Sequence, residues 1–461
     1  HQKSCRLKSV IEQDHRRPPG RCQARGDLLL PISIEASQGL KDEVLSRMNH
    51  SELTSTIFTD DLIMRFGSRL HFRHGHLQHR WQYVRERLRQ MGHLVLATKK
   101  LDSNVRNLTD CISCSAYDKV VEAVKSVCGF DAKTNTYKTP SLALKLGHGL
   151  KECTEIFISE SMKLAKSRRR NAKEFLKLYK TQWRVDVSSH ALRSLYTRKF
   201  NKPMILPLAE DVKVLHSFLE NEARRTHERL LKEITAKDWQ ALCQLTLAEL
   251  ILFNRRRSGE VQRIPVSLFS LLKDKKDCND DFLLGLSKIE VALCKLLKHI
   301  EIQGKKGRKV PILVTDIVSQ HLTTLVDSRE HVGVAKDNTY LFARIGASNS
   351  CYRGSDCLRR FSKECGASNA ESLTSTKLRK HIATMSQVLS LRSDELDLLA
   401  GFMGHDIRVH RDFYRLPSST LQVAKISKLL LAVESGKITS LMGKNLDDIK
   451  VDVEGWSHLK H

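Results

Sequence analysis

Apolar side chains recur at helical spacing along most of the chain. The best-defined stripe has four-three spacing, with arginines largely off it, which predicts an amphipathic helix. Its apolar positions are Leu77, Trp81, Val84, Leu88, Met91 and Val95. Helix begins at Thr59 or Asp60, either of which is a suitable N-cap. Similar patterns predict helices near 115–128 and 141–165, from Ala209 onward, and over the buried stretch 236–253.

Strand-like alternation stands out at residues 300–314. Two β-branched runs flank the sequence Gly304-Lys305-Lys306-Gly307, which predicts a β-hairpin with lysines at its tip. Lysines also occupy hairpin tips simply for solubility, so the tip alone assigns no function. Together the patterns predict a predominantly α fold with a small antiparallel sheet.

A chain of 461 residues is too long for one domain with a single hydrophobic core, so we expect several domains. Pro203 and Pro207 place a boundary near 201–207, before a new helical period begins. We predict a basic tail or linker at 1–26, a helical region at 27–104, a basic helical domain at 105–200, a second domain at 205–435 and a C-terminal tail at 436–461. Since the chain starts at His1 and not Met, we expect a fragment. His1 and Cys5 have the spacing of the last two ligands of a Cys-Cys-His-Cys zinc finger, although without a second ligand pair an ordinary linker is the favoured interpretation.

Charge adds a partner to this picture. The chain has 78 Lys and Arg against 52 Asp and Glu, a formal charge of +26, which attracts a polyanion such as nucleic acid. Nine Lys or Arg and the single acid Glu174 lie between Lys163 and Arg184, on a predicted helix with an apolar back. This run fits a DNA-backbone contact, a nuclear import signal or solvated charge. The DNA-contact candidates are Lys166, Arg168, Arg169, Arg170 and Lys173, with Lys306 at the hairpin.

Other features narrow the class. The twelve cysteines are irregularly spaced and fit a reduced compartment. No apolar run reaches the roughly 18–20 residues that cross a bilayer, and no signal-like segment is visible. We therefore expect an intracellular protein, located in the nucleus, with no membrane partner. Cys111 and Cys114 form a C-x-x-C without a second ligand pair nearby, so we interpret them as structural.

Three motifs in the second half carry chemistry. The first motif, Asn-Arg-Arg-Arg-Ser-Gly-Glu, follows the buried helix 236–253 and contains Arg257 and Glu260. The second, Leu-Arg-Lys-His-Ile-Ala-Thr, contains Arg379. The third, Met-Gly-His, contains His405, which precedes Tyr414 by nine residues. With the hairpin lysine between the two arginine motifs, this order and spacing resembles the tyrosine recombinase (phage integrase-like) family.

The resemblance implies a helical N-terminal core-binding region and a mixed catalytic domain over 205–435. It also implies a reaction in which Tyr414 attacks a DNA phosphate to give a 3′-phosphotyrosyl intermediate. Arg257, Arg379 and His405 would bind the non-bridging oxygens, since a planar, permanently charged guanidinium matches two of them. Lys305, or alternatively Lys306, would be the general acid toward the 5′ oxygen.

By the same resemblance the reaction uses neither a metal nor another cofactor. The partner would be double-stranded DNA, bound by a homo-oligomer, and the origin a eukaryotic mobile element. One position departs from the family: Thr376 stands three residues before Arg379, where a histidine is usual. This substitution favours the alternative of a catalytically impaired, recombinase-derived DNA-binding protein. A basic scaffold or RNA-binding protein would require the motif match to be accidental.

Overall fold

The computed structural model describes residues 32–161, 166–200, 206–272, 287–304, 307–346, 349–388 and 393–404. The chain divides into two compact units, His1–Pro203 and Met204–His461. Among the described helices, none is both long enough and apolar enough to cross a membrane.

The first unit is a helical assembly around one hydrophobic core. Its α-helices are α1 (Glu52–Thr59), α2 (Asp61–His74), α3 (Trp81–Leu101), α4 (Tyr117–Val127), α5 (Pro140–Ser161), α6 (Lys166–Trp183) and α7 (Ser189–Phe200). A small antiparallel hairpin, β1 (Phe130–Asp131) and β2 (Thr136–Tyr137), precedes α5. Short 3₁₀ or π segments lie at Leu40–Val44, Leu45–Arg47, Gln78–Arg80 and Arg184–Ser188.

The predicted apolar stripe of α3 faces this core. Val84, Leu88, Met91 and Val95 are each fully buried. The helix begins at Trp81, after a 3₁₀ turn, so it excludes Leu77, which is partly exposed. Asp60 caps α2 by accepting a hydrogen bond from the Ile63 amide at 2.9 Å, which confirms one of the two predicted N-caps.

The second unit contains the α-helices α8 (Ala209–Lys232), α9 (Ala236–Asn254), α10 (Ser258–Val261), α11 (Val266–Leu272), α12 (Lys288–Leu296), α13 (Asp316–Asp327), α14 (Gly354–Glu364), α15 (Ser375–Val388) and α16 (Ser393–Phe402). A 3₁₀ turn covers Ala370–Ser372. The central element is α9, whose side chains are apolar on nearly every face and buried almost throughout. A helix that is apolar all round must lie inside a domain, as predicted for this stretch.

The predicted hairpin is confirmed as β3 (Leu297–Gln303) and β4 (Lys309–Thr315). The strands are antiparallel, with Leu297 opposite Thr315 and Gln303 opposite Lys309. Alternate side chains of both strands are buried, as expected for a sheet with one face on a core. These are Ile300, Ile302, Val310, Ile312 and Val314. The hairpin packs against α9, and the end of that helix is bonded to Leu313 of β4.

The fold class predicted from the sequence is confirmed. The described residues are mostly helical, with two small antiparallel sheets. The larger sheet arises from the only stretch for which alternation predicted strands. The first hairpin was not predicted, because strands of two residues are too short to show alternation.

Candidate functional site

The end of α9 is fixed to the hairpin by a buried asparagine. The Asn254 side chain donates to the Leu313 carbonyl at 2.9 Å and accepts from the Leu313 amide at 2.7 Å. Arg255 then terminates the helix in the left-handed region, with φ of 51°. This conformation is uncommon for an arginine. It turns the chain sharply, so that three successive arginines leave the core helix in different directions.

Arg256 is the most buried of the three arginines. Its side chain is 0% exposed, donates from Nη2 to the Pro311 carbonyl of β4, and lies with its guanidinium carbon 4.3 Å from the centroid of the Phe402 ring. Its Nε and Nη1 atoms are buried without a hydrogen-bond partner. Burial lowers the pKa of Arg256 to about 10, and the neighbouring charge of Arg379 acts in the same direction.

Arg257 lies at the start of α10 and pairs with the acid three residues later. Its Nη1 is 2.9 Å from Oε1 of Glu260, while the arginine side chain stays 38% exposed and the glutamate only 9%. The ion pair therefore leaves part of the guanidinium open to solvent. Glu260 Oε2 is buried and has no hydrogen-bond partner. The Arg-x-x-Glu spacing read from the sequence thus corresponds to a direct contact.

Arg379 connects three segments that are distant in sequence. From α15 its Nη1 donates to the Arg255 carbonyl at 3.0 Å, and its Nη2 donates to the Met403 carbonyl at 2.8 Å. The residue is 3% exposed. These bonds bring the second arginine motif to the end of α9 and to the segment just before Gly404. In sequence, these two carbonyls lie two positions before the predicted site residues Arg257 and His405.

The turn after α16 depends on glycine. Gly404 has φ of +64°, and a Cβ built there would lie 3.3 Å from Val310 Cγ2 and 4.0 Å from Arg256 Nη1. A left-handed backbone this close to β4 favours glycine over every other residue. The turn directly precedes His405 in sequence.

Among the described residues of this region, positive charges outnumber negative ones. Arg255, Arg256, Arg257 and Arg379 lie on connected segments, and Glu260 is the acid whose charge acts on Arg256. Burial also lowers the pKa of Arg255 and, together with the charge of Arg255, lowers the pKa of His381. An imidazole with a lowered pKa is neutral at physiological pH. The region can therefore accept an anion, which would relieve repulsion between neighbouring guanidinium groups.

The structure brings together some of the predicted site residues. Arg257 and Arg379 both lie next to the end of α9. Lys305 and Lys306 follow Gly304 in sequence, and His405 and Tyr414 follow Gly404, but all four lie outside the described residues. Thr376 is in the first turn of α15, one helical turn before Arg379. Sequence reasoning missed Arg256, because its contacts with Pro311 and Phe402 are distant in sequence and no local signal separates it from the neighbouring arginines.

The basic helix of the first unit has the predicted two faces. Ala172, Phe175 and Trp183 are buried, whereas Lys173 is exposed. Arg170 is exposed as well, and its Nε lies 3.0 Å from Glu174 Oε1. The side chains of Lys166 and Arg168 lie outside the described part of the chain, and Arg169 is half-buried. A basic outer face is thus present on α6, and its role as a DNA contact stays a prediction.

Within the described residues, no group of three or more His, Cys, Asp or Glu side chains is arranged to hold a metal ion. Cys111 is buried, which raises the pKa of its thiol to about 12, and Cys114 is exposed. A protonated buried thiol is a poor metal ligand and a poor nucleophile. His1 and Cys5, the predicted half of a zinc finger, lie outside the described residues.

No family model matches the sequence, and no curated protein matches it. Among solved structures, the chain is similar to the XerH site-specific recombinase bound to difH substrate in a pre-cleavage complex. That match has a TM-score of 0.33 and 16% identity, and covers 72% of this chain and 95% of that chain. XerH bound to palindromic difH substrate in a post-cleavage complex matches with a TM-score of 0.36 and 15% identity, covering 78% and 94%. At these TM-scores we draw no functional conclusion from the likeness.

Proposed function

We propose that this protein breaks and rejoins double-stranded DNA at specific sites through a 3′-phosphotyrosyl intermediate on Tyr414. The observation that carries the proposal is the position of Arg379, whose guanidinium bonds the carbonyls of Arg255 and Met403. These bonds join Arg379 to the end of α9, 124 residues earlier in sequence, and to Met403, 24 residues later. The proposal is supported by the cluster of arginines that results.

The chemistry requires such a charge. When a hydroxyl attacks a phosphodiester, negative charge grows on the phosphoryl oxygens in the transition state, and preorganised cations stabilise it. Arg379 is oriented by two backbone carbonyls, and Arg257 is oriented by Glu260 with part of its guanidinium exposed. Neither side chain needs to reorganise extensively to bind phosphate, because folding already restricts both.

The remaining roles rest on residues outside the described part of the chain. Lys305 would protonate the departing 5′ oxygen, with Lys306 as the alternative, and His405 would donate to a non-bridging oxygen. Tyr414 would be the nucleophile, which needs help because an unperturbed tyrosine has a pKa of about 10. We propose no metal or cofactor for this step, and a homo-oligomer on DNA as the acting form.

A covalent-trapping assay tests the proposal. A suicide duplex carrying a nick next to the cleavage site releases a short strand after attack, so that the protein–DNA adduct accumulates and is seen by denaturing electrophoresis. We expect an adduct with the wild-type protein and none with Tyr414→Phe. Arg257→Lys should reduce the yield by about 10²-fold or more, since an ammonium cannot reproduce the guanidinium fork. A full-yield adduct from Tyr414→Phe would disprove the assignment of the nucleophile.

A second candidate is a recombinase-derived DNA-binding protein without cleavage activity. Thr376, in the first turn of α15, favours it, because no imidazole is present at that position to accept the tyrosine proton. His381 lies on the same helix, and burial together with the charge of Arg255 lowers its pKa, which favours the neutral imidazole and makes it a candidate substitute. Tight DNA binding without any adduct would favour this second function. The wild type would form the adduct and His381→Ala would lose it. If adding Thr376→His to the His381→Ala chain then restores the adduct, His381 is identified as the substitute.

A further inference from the structure

Three arginines of the second unit converge on Cys351 and make no ion pair with any described carboxylate. Arg263 is half-buried, and Arg344 and Arg353 are exposed. Other arginines of this unit are neutralised by nearby acids. Examples are Arg224 with Glu220, Arg225 with Glu222, Arg229 with Asp238 and Arg360 with Glu364. The cluster therefore holds positive charge that no described side chain balances.

The backbone holds these arginines together. Cys351 pairs with Ala343 in an antiparallel bridge, and the Arg344 amide donates to the Ser350 carbonyl at 2.8 Å, so Arg344 lies beside the segment that leads to Arg353. The segment directly after Arg263 is joined to the chain leading into this loop, because the Leu341 amide donates to the Ile264 carbonyl at 2.8 Å. The convergence of the three arginines is thus fixed by main-chain hydrogen bonds.

The cluster borders the Arg257–Glu260 turn. Both terminal nitrogens of Arg263 lie 3.4 Å from the position of a Cβ on Gly259. The Gly354 amide, directly after Arg353, donates to the Gln262 side chain at 3.0 Å, and a Cβ on Gly354 would lie 3.2 Å from Ser258 Cβ. The arginine cluster is consequently next to the first arginine motif.

The thiol at the centre is not the functional group. Burial raises the pKa of Cys351, and the charges of Arg263, Arg344 and Arg353 only partly oppose this. The thiol stays protonated at physiological pH, so it neither neutralises the arginines nor acts as a nucleophile. The Arg344 guanidinium carbon lies 5.6 Å from the centroid of the Tyr352 ring. This contact restrains a side chain that is otherwise exposed.

We infer that Arg263, Arg344 and Arg353 bind DNA backbone phosphates that flank the phosphate held by Arg257 and Arg379. The inference rests on the proposed function and extends it from one phosphate to a stretch of backbone. Arginine forks match phosphate oxygens, and successive phosphates of one strand present such groups at regular spacing. Backbone contacts of this kind fix the register of a protein on the duplex and carry no sequence information.

Salt dependence of DNA binding tests the inference. We compare the triple variant Arg263→Gln, Arg344→Gln and Arg353→Gln with a control that loses the same charge from α8. The control carries Lys213→Gln, Arg224→Gln and Arg225→Gln, three exposed residues that pair with acids on their own helix. Affinity for a duplex of about 30 base pairs is measured by fluorescence anisotropy at several salt concentrations. Each lost phosphate contact should reduce the slope of log affinity against log salt by about 0.9.

We expect a slope reduced by about 2–3 in the triple variant and a slope close to wild type in the control. The double variant Arg344→Gln and Arg353→Gln changes only exposed side chains, so a reduction of about 2 there supports the same inference without any question of folding. Equal slopes in the cluster variants and wild type would overturn it, as would an equal reduction in the control. If the wild type binds DNA and forms the Tyr414 adduct while the cluster variants keep its slope, this inference alone fails. Absence of DNA binding by the wild type would overturn the proposed function as well.

Discussion

Replacing Arg256 by methionine should leave the stability of the folded protein nearly unchanged while reducing DNA cleavage. The fully buried guanidinium has a pKa lowered from 12.5 to about 10, and at about 1.4 kcal/mol per pH unit this corresponds to roughly 3 kcal/mol against the charged form in the folded state. Its hydrogen bond to the Pro311 carbonyl stabilises the folded state by about 1.5–3 kcal/mol, and its position over the Phe402 ring stabilises it by up to about 2 kcal/mol. The two buried nitrogens without partners, Nε and Nη1, oppose this by about 1–3 kcal/mol each.

The favourable and unfavourable contributions of the Arg256 side chain nearly cancel, or together favour an apolar side chain at this position. Arg256→Met should therefore unfold at the same urea concentration as wild type or at a higher one, with a free energy of unfolding changed by no more than about 2 kcal/mol. Cleavage should nevertheless fall by about 10²-fold, because the guanidinium joins β4 to Phe402 and thus aligns the hairpin with the segment that precedes His405. The assays are urea denaturation and the yield of the covalent adduct.

The matched control is Arg224→Met, which removes an exposed arginine paired with Glu220 on α8. It should leave both the adduct yield and the urea midpoint close to wild type. The reasoning would be refuted if Arg256→Met lost more than about 4 kcal/mol of stability, since Arg256 would then be an ordinary structural anchor. Wild-type cleavage by a stable Arg256→Met protein would refute the positioning role.

Three further predictions concern neighbouring residues. Arg379→Lys should lower the free energy of unfolding by about 2 kcal/mol or more in urea titrations, because one ammonium cannot bond two separate carbonyls. Gly404→Ala should destabilise by about 1–2 kcal/mol through its left-handed backbone. Gly401→Ala, in α16, should be neutral or slightly stabilising in the same titrations, because no heavy atom of the described residues lies within 4 Å of its Cβ position. Burial raises the pKa of Glu249 above its ordinary 4.5, so the stability due to its protonated form is present below that pH and is lost as pH rises through the folded value. Glu249→Gln should therefore raise the melting temperature at pH 8 and lose this advantage toward pH 4; a difference independent of pH would contradict the assignment.

The sequence predicted what local periodicity determines. The apolar stripe of α3, the wholly apolar α9 and the alternating strands around Gly304 each correspond to the observed element. The order of the arginine motifs also predicted that Arg257 and Arg379 would lie near one another, and the structure places both at the end of α9.

The other features of the site depend on tertiary contacts, which the periodicity of the sequence does not reveal. The environment of Arg256 is set by Pro311 and Phe402, which are far away in sequence, so nothing local distinguishes a buried cation from its two neighbours. The positive φ of Arg255 is equally invisible, because position 255 is an arginine and not the glycine or asparagine that usually adopts a left-handed conformation. The cluster around Cys351 depends on the same kind of long-range pairing.

The hydrogen bonds of Arg379 bear on how such a site can function. A guanidinium carries five N–H groups, and the carbonyls of Arg255 and Met403 accept from one terminal nitrogen each. Because both acceptors are backbone atoms, the orientation of the side chain is fixed by the fold before any DNA arrives. Repulsion between Arg379 and Arg256 is likewise present in the free protein. A bound phosphate would relieve that repulsion without having to orient the guanidinium, and this differential effect is what electrostatic preorganisation requires.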